Sequence, residues 1–145
     1  MILPHKETCL VVCPQCRGCA IFQRKGKYKG FRQVYRRAYI NTDGKITCRR
    51  CGLSEQWKQL TLPDQIYLKD TRINPPLFAF DAEHLKILTE FLSSEDRRTE
   101  SFPADYIPGL NNLSKNFLLE QNRPEVLRAL ATMNDLLRQC GEGVA

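Results

Sequence analysis

Cysteine carries the clearest chemistry in this chain. Cys13-Pro14-Gln15-Cys16 and Cys48-Arg49-Arg50-Cys51-Gly52 are two C-x-x-C pairs with 31 residues between them. Each pair can turn two thiolates toward one ion while backbone N–H groups donate to the sulfurs, and two such knuckles close a tetrahedral site suited to one Zn2+. Sulfur at all four positions leaves no coordination site for water or substrate, so the expected metal is structural rather than catalytic. Pro14 fixes the backbone of the first turn, and Gly52 accepts a positive φ where the second knuckle must turn away. The expected ligands are Cys13, Cys16, Cys48 and Cys51. Cys16 and Cys19 also form a C-x-x-C pair, and Cys9 stands four residues before Cys13, so a set that includes Cys9 or Cys19 stays open. On the preferred set, Cys9, Cys19 and Cys140 are small buried hydrophobes. His5 and His84 have no partner at ligand spacing and read as surface or capping residues.

A second cluster of chemically useful residues lies between the knuckles. Ala20 to Arg24 reads as a strand, Lys25 to Gly30 as a basic loop, and Phe31 to Ile40 as one long strand rich in aromatic and β-branched residues. Asp43-Gly44 is the pair that favours a tight hairpin turn, with Lys45 to Thr47 returning to the second knuckle and Leu53 to Leu62 adding a strand or packing over the sheet. The candidate partner-binding residues are Arg24, Lys25, Lys27, Tyr28, Lys29, Arg32, Tyr35, Arg36, Arg37 and Tyr39. Their rings can stack on bases while the cations meet phosphates. The same rings can instead form the small core of the ribbon, with the cations as its solvated edge. A basic hairpin also fits a carboxylate-lined protein cleft, such as the acidic metal site of a nuclease, through arginine–carboxylate pairing.

The surrounding elements follow from composition and periodicity. The chain has 145 residues, 26% charged and 42% hydrophobic, enough for one core and a small satellite. No apolar run approaches the roughly 20 residues of a membrane span. Residues 1–62 hold 13 Lys/Arg and 3 Asp/Glu, whereas residues 63–145 hold 9 and 13, so a basic domain (1–62) and an acidic helical domain (63–145) are expected. An odd cysteine count with two C-x-x-C pairs points to reduced thiols and a cytoplasmic setting.

In the acidic part, Asp81 is a good N-cap for a helix with Leu85, Ile87, Leu88, Phe91 and Leu92 inward. Ser93 to Pro108 reads as an exposed loop. A second helix carries Leu110, Leu113, Phe117 and Leu118, and a third, with Pro124 in its first turn, runs through Val126, Leu127, Leu130, Met133 and Leu137 to a stop near Gly141. The expected fold class is α+β, a four-cysteine antiparallel zinc ribbon followed by a small three-helix part. No nucleophile elbow, phosphate loop or H-E-x-x-H motif is present.

The two knuckles resemble those of transcription-factor-type zinc ribbons. With Ala79-Phe80-Asp81-Ala82-Glu83-His84-Leu85 and Asn122-Arg123-Pro124-Glu125-Val126-Leu127 following, the chain is similar to small bacterial zinc-ribbon proteins of unassigned function. That resemblance implies a fold and a zinc ion, and no activity.

The expected function is non-catalytic binding to a protein partner, most concretely as an inhibitor or immunity protein of a bacterial toxin such as a nuclease. The acidic half would repel a nucleic acid laid across the whole molecule, which favours an acidic or carboxylate-lined protein surface. A DNA- or RNA-binding regulator using the basic aromatic hairpin is the alternative, and a metalloenzyme ranks third.

Overall fold

The computed structural model describes residues 7–25, 31–34 and 37–140, with 31–34 and 37 described by backbone alone. Apolar and β-branched residues near the N-terminus form β1 (Thr8–Val12) and β2 (Cys19–Arg24), paired antiparallel with Val12 opposite Cys19. Strands β3 (Phe31–Val34), β4 (Arg37–Thr47) and β5 (Ser54–Leu62) complete a five-stranded antiparallel sheet. The long β4 organises it, pairing β5 along one edge and both β2 and β3 along the other.

Two expectations for this region are corrected. Residues 31–40 are not one strand, because the chain reverses between Val34 and Arg37 and β3 lies back along β4, with Phe31 opposite Ile40. A ten-residue strand with neither face apolar has little to bury. In the folded chain β3 satisfies the backbone of β4 while Ala38 and Ile40 are buried in the core with Leu60 and Leu62. Nor is Asp43-Gly44 a hairpin turn. It lies within β4, where the register moves from Asn41↔Gln59 to Gly44↔Trp57, one extra residue on the β4 side, which is a β-bulge. Within the strand, paired with Arg24 and Trp57, position 44 has no room for a side chain beside the ring of Phe22. A Cβ on Gly44 would stand 2.1 Å from Phe22 Cζ and 2.7 Å from the Gln23 carbonyl oxygen.

The remaining chain builds a second layer. β6 (Leu68–Asp70) and β7 (Leu77–Ala79) form a short antiparallel pair, followed by α1 (Ala82–Ser93), α2 (Ile107–Asn111) and α3 (Arg123–Gln139). The α+β class holds. Among the described residues the three-helix expectation is corrected to two substantial helices and one of five residues. Asn112 and Ser114 end the middle segment by taking local backbone bonds: Asn112 Nδ2 donates to the Pro108 carbonyl, and Ser114 Oγ accepts from the Asn116 N–H. Phe117 is then buried from a 3-10 turn, while Leu118 stays exposed. The 93–108 segment is less open than a loop reading implies, since Tyr106 is buried and Phe102 packs edge-on against Phe91, centroids 6.0 Å apart.

α1 starts as its sequence suggests. Asp81 Oδ1 accepts from the His84 N–H at 2.8 Å, and His84 Nδ1 accepts from the Phe80 N–H at 3.0 Å, a reciprocal cap that gives His84 its place.

Alternation along β1 joins the two layers. Cys9 and Val11 face a core with Phe22, Ile40, Ile46, Leu60 and Leu62, whereas Leu10 faces a core with Leu85, Leu88, Leu92, Leu130 and Met133. In β2, Ala20 and Phe22 join the first core while Cys19 and Ile21 pack on the second. The β1–β2 pair is therefore covered on both faces.

Asp70, at the end of β6, is the one buried acid among the described residues. Its carboxylate takes bonds from Arg72 N, Nε and Nη2, and Nη2 also donates to Thr132 Oγ1 on α3 at 2.9 Å. The Arg72 guanidinium holds the Asp70 carboxyl below its ordinary value, against the upward pull of burial. A depressed carboxyl stabilises the fold above the unfolded value near 3.9 and loses that contribution as pH falls through it. Asp70→Ala is expected to lose about 2 kcal/mol at pH 7. In urea titrations from pH 7 to pH 2 the gap between parent and variant should narrow only below about pH 4. A gap that is constant down to pH 2 would assign the loss to packing.

Candidate metal centre

The first knuckle is the connection between β1 and β2, and the second connects β4 to β5. Each closes in the same way. The Cys13 N–H donates to Gly18 O at 2.8 Å and the Arg17 N–H to Cys13 O at 2.9 Å; the Cys48 N–H donates to Leu53 O and the Gly52 N–H to Cys48 O, both at 2.9 Å. Four residues after the leading cysteine of each knuckle the backbone enters the left-handed region, at φ 65° for Arg17 and 81° for Gly52. The expectation for Gly52 holds, but in the first knuckle Arg17 takes the corresponding position and Gly18 does not.

These turns bring four sulfurs together. Cys13 Sγ lies 3.6 Å from Cys51 Sγ, Cys16 Sγ lies 3.6 Å from Cys48 Sγ, and all four fall within 4.8 Å of one another. A tetrahedron of sulfurs around an ion at about 2.3 Å has edges of about 3.8 Å, so the set fits a single tetrahedral cation. Cys13 and Cys48 are buried, and Cys16 and Cys51 are half-buried. The Cys16 N–H points at Cys13 Sγ at 3.5 Å and the Gly18 N–H at Cys16 Sγ at 3.4 Å, the donor pattern that steadies thiolates.

Electrostatics point the same way. Burial raises the Cys13 thiol, but the backbone N–H groups of Cys16 and Gln15 and the facing thiols outweigh it and bring it down to about 7. For Cys51 a hydrogen bond from the Leu53 backbone lowers the thiol, and burial with the thiols of Cys13, Cys48 and Cys16 raises it further, to about 12. Four thiolates this close cannot coexist without a cation between them.

The other cysteines divide. Cys9 is buried and free, as expected, and burial together with the Asp81 charge pushes its thiol up to about 12. Cys19 and Cys140 are not independent small hydrophobes: they are joined in a disulfide with Cα atoms 5.2 Å apart, 121 residues apart in sequence. This corrects the expectation of uniformly reduced thiols and removes Cys19 from the alternative ligand sets. The reason is spatial, since the last turn of α3 ends against the face of β2 that carries Cys19.

Of the candidate partner-binding residues, Lys27, Tyr28, Lys29, Tyr35 and Arg36 lie outside the described residues, and Arg32 and Arg37 are placed by backbone on β3 and β4. Arg24 and Tyr39 are half-buried and Lys25 is exposed, its N–H bonded to Asp43 O in the bulge at 2.9 Å. Sequence reasoning passed over a neighbouring row. Gln23, Lys45 and Gln56 stand in register across β2, β4 and β5, and Lys58 follows two residues along β5 on the same face. Among the described residues β5 pairs with no strand except β4, so its outer edge carries no strand over the stretch 54–59, exposed except at the half-buried Trp57, while at Thr61 the N–H and carbonyl are both bonded to Gln65. The polar alternation Ser54, Gln56, Lys58 was the available signal.

No helix among the described residues is long and apolar enough to cross a membrane. No protein-family model matches the chain, and no match is found among curated proteins or among solved structures. The likeness to a zinc ribbon therefore rests on the four-cysteine cluster and its antiparallel strands.

The strained turn offers a direct check. A non-glycine residue in the left-handed region costs roughly 1 kcal/mol. Arg17→Gly should raise stability by about that amount, and Gly52→Ala, whose Cβ would meet nothing within 4 Å, should lower it by about as much. Equal melting of Arg17→Gly and parent, both metal-loaded, would show that the Arg17 side chain offsets its backbone cost.

Proposed function

We propose that Cys13, Cys16, Cys48 and Cys51 hold one structural Zn2+ and that the chain is a non-catalytic binding protein. The observation that carries the first part is the closed set of four sulfurs, which suits a thiophilic tetrahedral ion and leaves no position for a reacting group. The ion supplies cross-linking: it ties the β1–β2 connection to the β4–β5 connection and so fixes the sheet that presents the basic face. Zinc loading of the purified chain by metal analysis, with cobalt substitution giving tetrahedral thiolate absorption, tests it; octahedral cobalt spectra would refute the ligand set.

The partner we propose is a protein with an acidic, carboxylate-lined surface, most concretely the metal-binding cleft of a nuclease toxin that this chain would inhibit. Support comes from the outer edge of β5, where Lys58 is exposed and Lys45 lies one strand inward on the same face: an extended protein segment can pair with both the N–H and the C=O groups of such an edge, whereas a phosphate backbone can only accept from the N–H groups. The net negative charge of residues 63–145 also disfavours a polyanion spread over the molecule. Tagged full-length chain is used to recover partners from lysate with and without nuclease treatment. One stoichiometric protein that survives nuclease and moderate salt, and is lost on Lys45→Glu/Lys58→Glu, supports the reading. Heterogeneous nucleic acid released log-linearly with salt refutes it in favour of a regulator that grips phosphates.

A further inference from the structure

The bond between Cys19 and Cys140 joins the strand that leaves the first knuckle to the end of α3. Cys19 is the closing rung of the β1–β2 pair, opposite Val12, and the whole first knuckle hangs between these two residues. Its chain neighbour Gly18 makes two of the contacts that shape the knuckle: the Gly18 N–H points at Cys16 Sγ, and Gly18 O accepts from the Cys13 N–H. On the other side, Cys140 ends α3, which packs on α1 and β6 and is fixed by its own buried face of Val126, Ala129, Leu130 and Met133. The disulfide therefore anchors the rung beside the cluster to the helical core. Cys19 is half-buried and Cys140 is buried.

We infer that Cys19 and Cys140 form a reversible dithiol/disulfide site whose state sets how fast the four-cysteine cluster gives up its metal. The metal half of this inference rests on the cluster reading above; the disulfide half does not. Closure uses a low-molecular-weight disulfide such as oxidised glutathione. One protein thiolate attacks a glutathione sulfur, forming a mixed disulfide and expelling a glutathione thiolate. The second protein thiolate then attacks the protein sulfur of that mixed disulfide and expels the other. The two protons leave the protein thiols and appear on two glutathione thiols, so the protein is oxidised by two electrons and the glutathione disulfide is reduced by two. Opening is the same exchange run backward by excess thiol. In the closed state the Gly18 contacts are braced by the bond to α3. In the open state that brace is gone. Loss of one outer support typically costs a metal site 10- to 100-fold.

The test uses full-length zinc-loaded chain equilibrated with oxidised glutathione, or reduced by a phosphine and desalted. Two quantities are read: thiols titrated after unfolding and metal removal, and the rate of zinc transfer to a chromophoric chelator. The expected result is five thiols in the oxidised chain and seven in the reduced one, with transfer about tenfold slower from the oxidised chain. Cys140→Ser leaves the knuckle untouched and should transfer zinc at the fast rate in either buffer. Seven thiols after oxidation would overturn the disulfide site. Five thiols with equal transfer rates would overturn its coupling to the metal. A chain that binds no zinc in either buffer would overturn the cluster reading and the coupling with it, while the thiol count alone would still decide whether the disulfide site exists.

Discussion

Cys48→Ser is expected to purify without zinc and to lose the cooperative melting of the sheet. Cys48 is buried, its N–H is bonded within its own knuckle, and its sulfur stands 3.6 Å from Cys16 Sγ. Serine cannot supply a thiolate there, and the three remaining sulfurs no longer enclose the ion. Metal binding by four cysteines contributes on the order of 10 kcal/mol to small structural sites, comparable to the whole stability of a domain this size. Loss of even about 5 kcal/mol would lower Tm by about 15 °C or more. Cys9→Ala is the matched control, because Cys9 lies in the same core and outside the cluster; it should keep a full equivalent of zinc and lose only the cost of a small cavity. Metal analysis and melting curves of the two variants decide the matter. A Cys48→Ser protein that holds one equivalent of zinc and melts with the parent would show that the ligands lie elsewhere.

What could be read from the sequence was what depends on near neighbours. Cys-x-x-Cys spacing is local, and both knuckles close through bonds within six residues, so the preferred grouping of Cys13, Cys16, Cys48 and Cys51 was legible before any fold was known, with Cys9 and Cys19 as open alternatives. The same is true of α1, whose cap runs from Asp81 to His84 and whose buried stripe of Leu85, Leu88 and Leu92 follows helical spacing. Pairings between distant residues were not legible. Nothing near Cys19 indicates that a cysteine 121 residues away will meet it, and both were assigned to the class of small buried hydrophobes that unpaired cysteine commonly fills. Asp70 was silent for a similar reason, since its bridge through Arg72 to Thr132 exists only once α3 packs on β6. The middle helix failed differently: apolar spacing at Leu110, Leu113 and Phe117 was genuine, but Asn112 and Ser114 divert the backbone into local bonds that outcompete another helical turn. The basic face was only half legible, because reading 31–40 as one strand placed its alternation wrongly and left Lys45 and Lys58 out of account.

Gly44 separates a local reading from a tertiary one most sharply. At a two-residue hairpin turn the position after Asp43 needs a residue that tolerates positive φ, where glycine is favoured and asparagine is the substitute tolerated at least cost. Within β4 the demand is different. Gly44 pairs with Arg24 on one side and Trp57 on the other, and the Phe22 ring, whose centroid is 6.1 Å from that of Trp57, fills the space where a Cβ would be. Alanine there meets the ring at 2.1 Å and the Gln23 carbonyl at 2.7 Å, so ring and strand must both shift. Gly44→Ala should therefore lose about 3 kcal/mol, the upper end of ordinary overpacking, and lower Tm by about 10 °C. Gly44→Asn should lose at least as much. Phe22→Leu combined with Gly44→Ala should lose less than the sum of the two single changes, because the smaller side chain removes the ring contact and leaves only the carbonyl. If Gly44→Asn instead melts within about 2 °C of the parent, Asp43-Gly44 is a turn after all, and the continuous β4 that carries Lys45 beside Lys58 does not exist in solution.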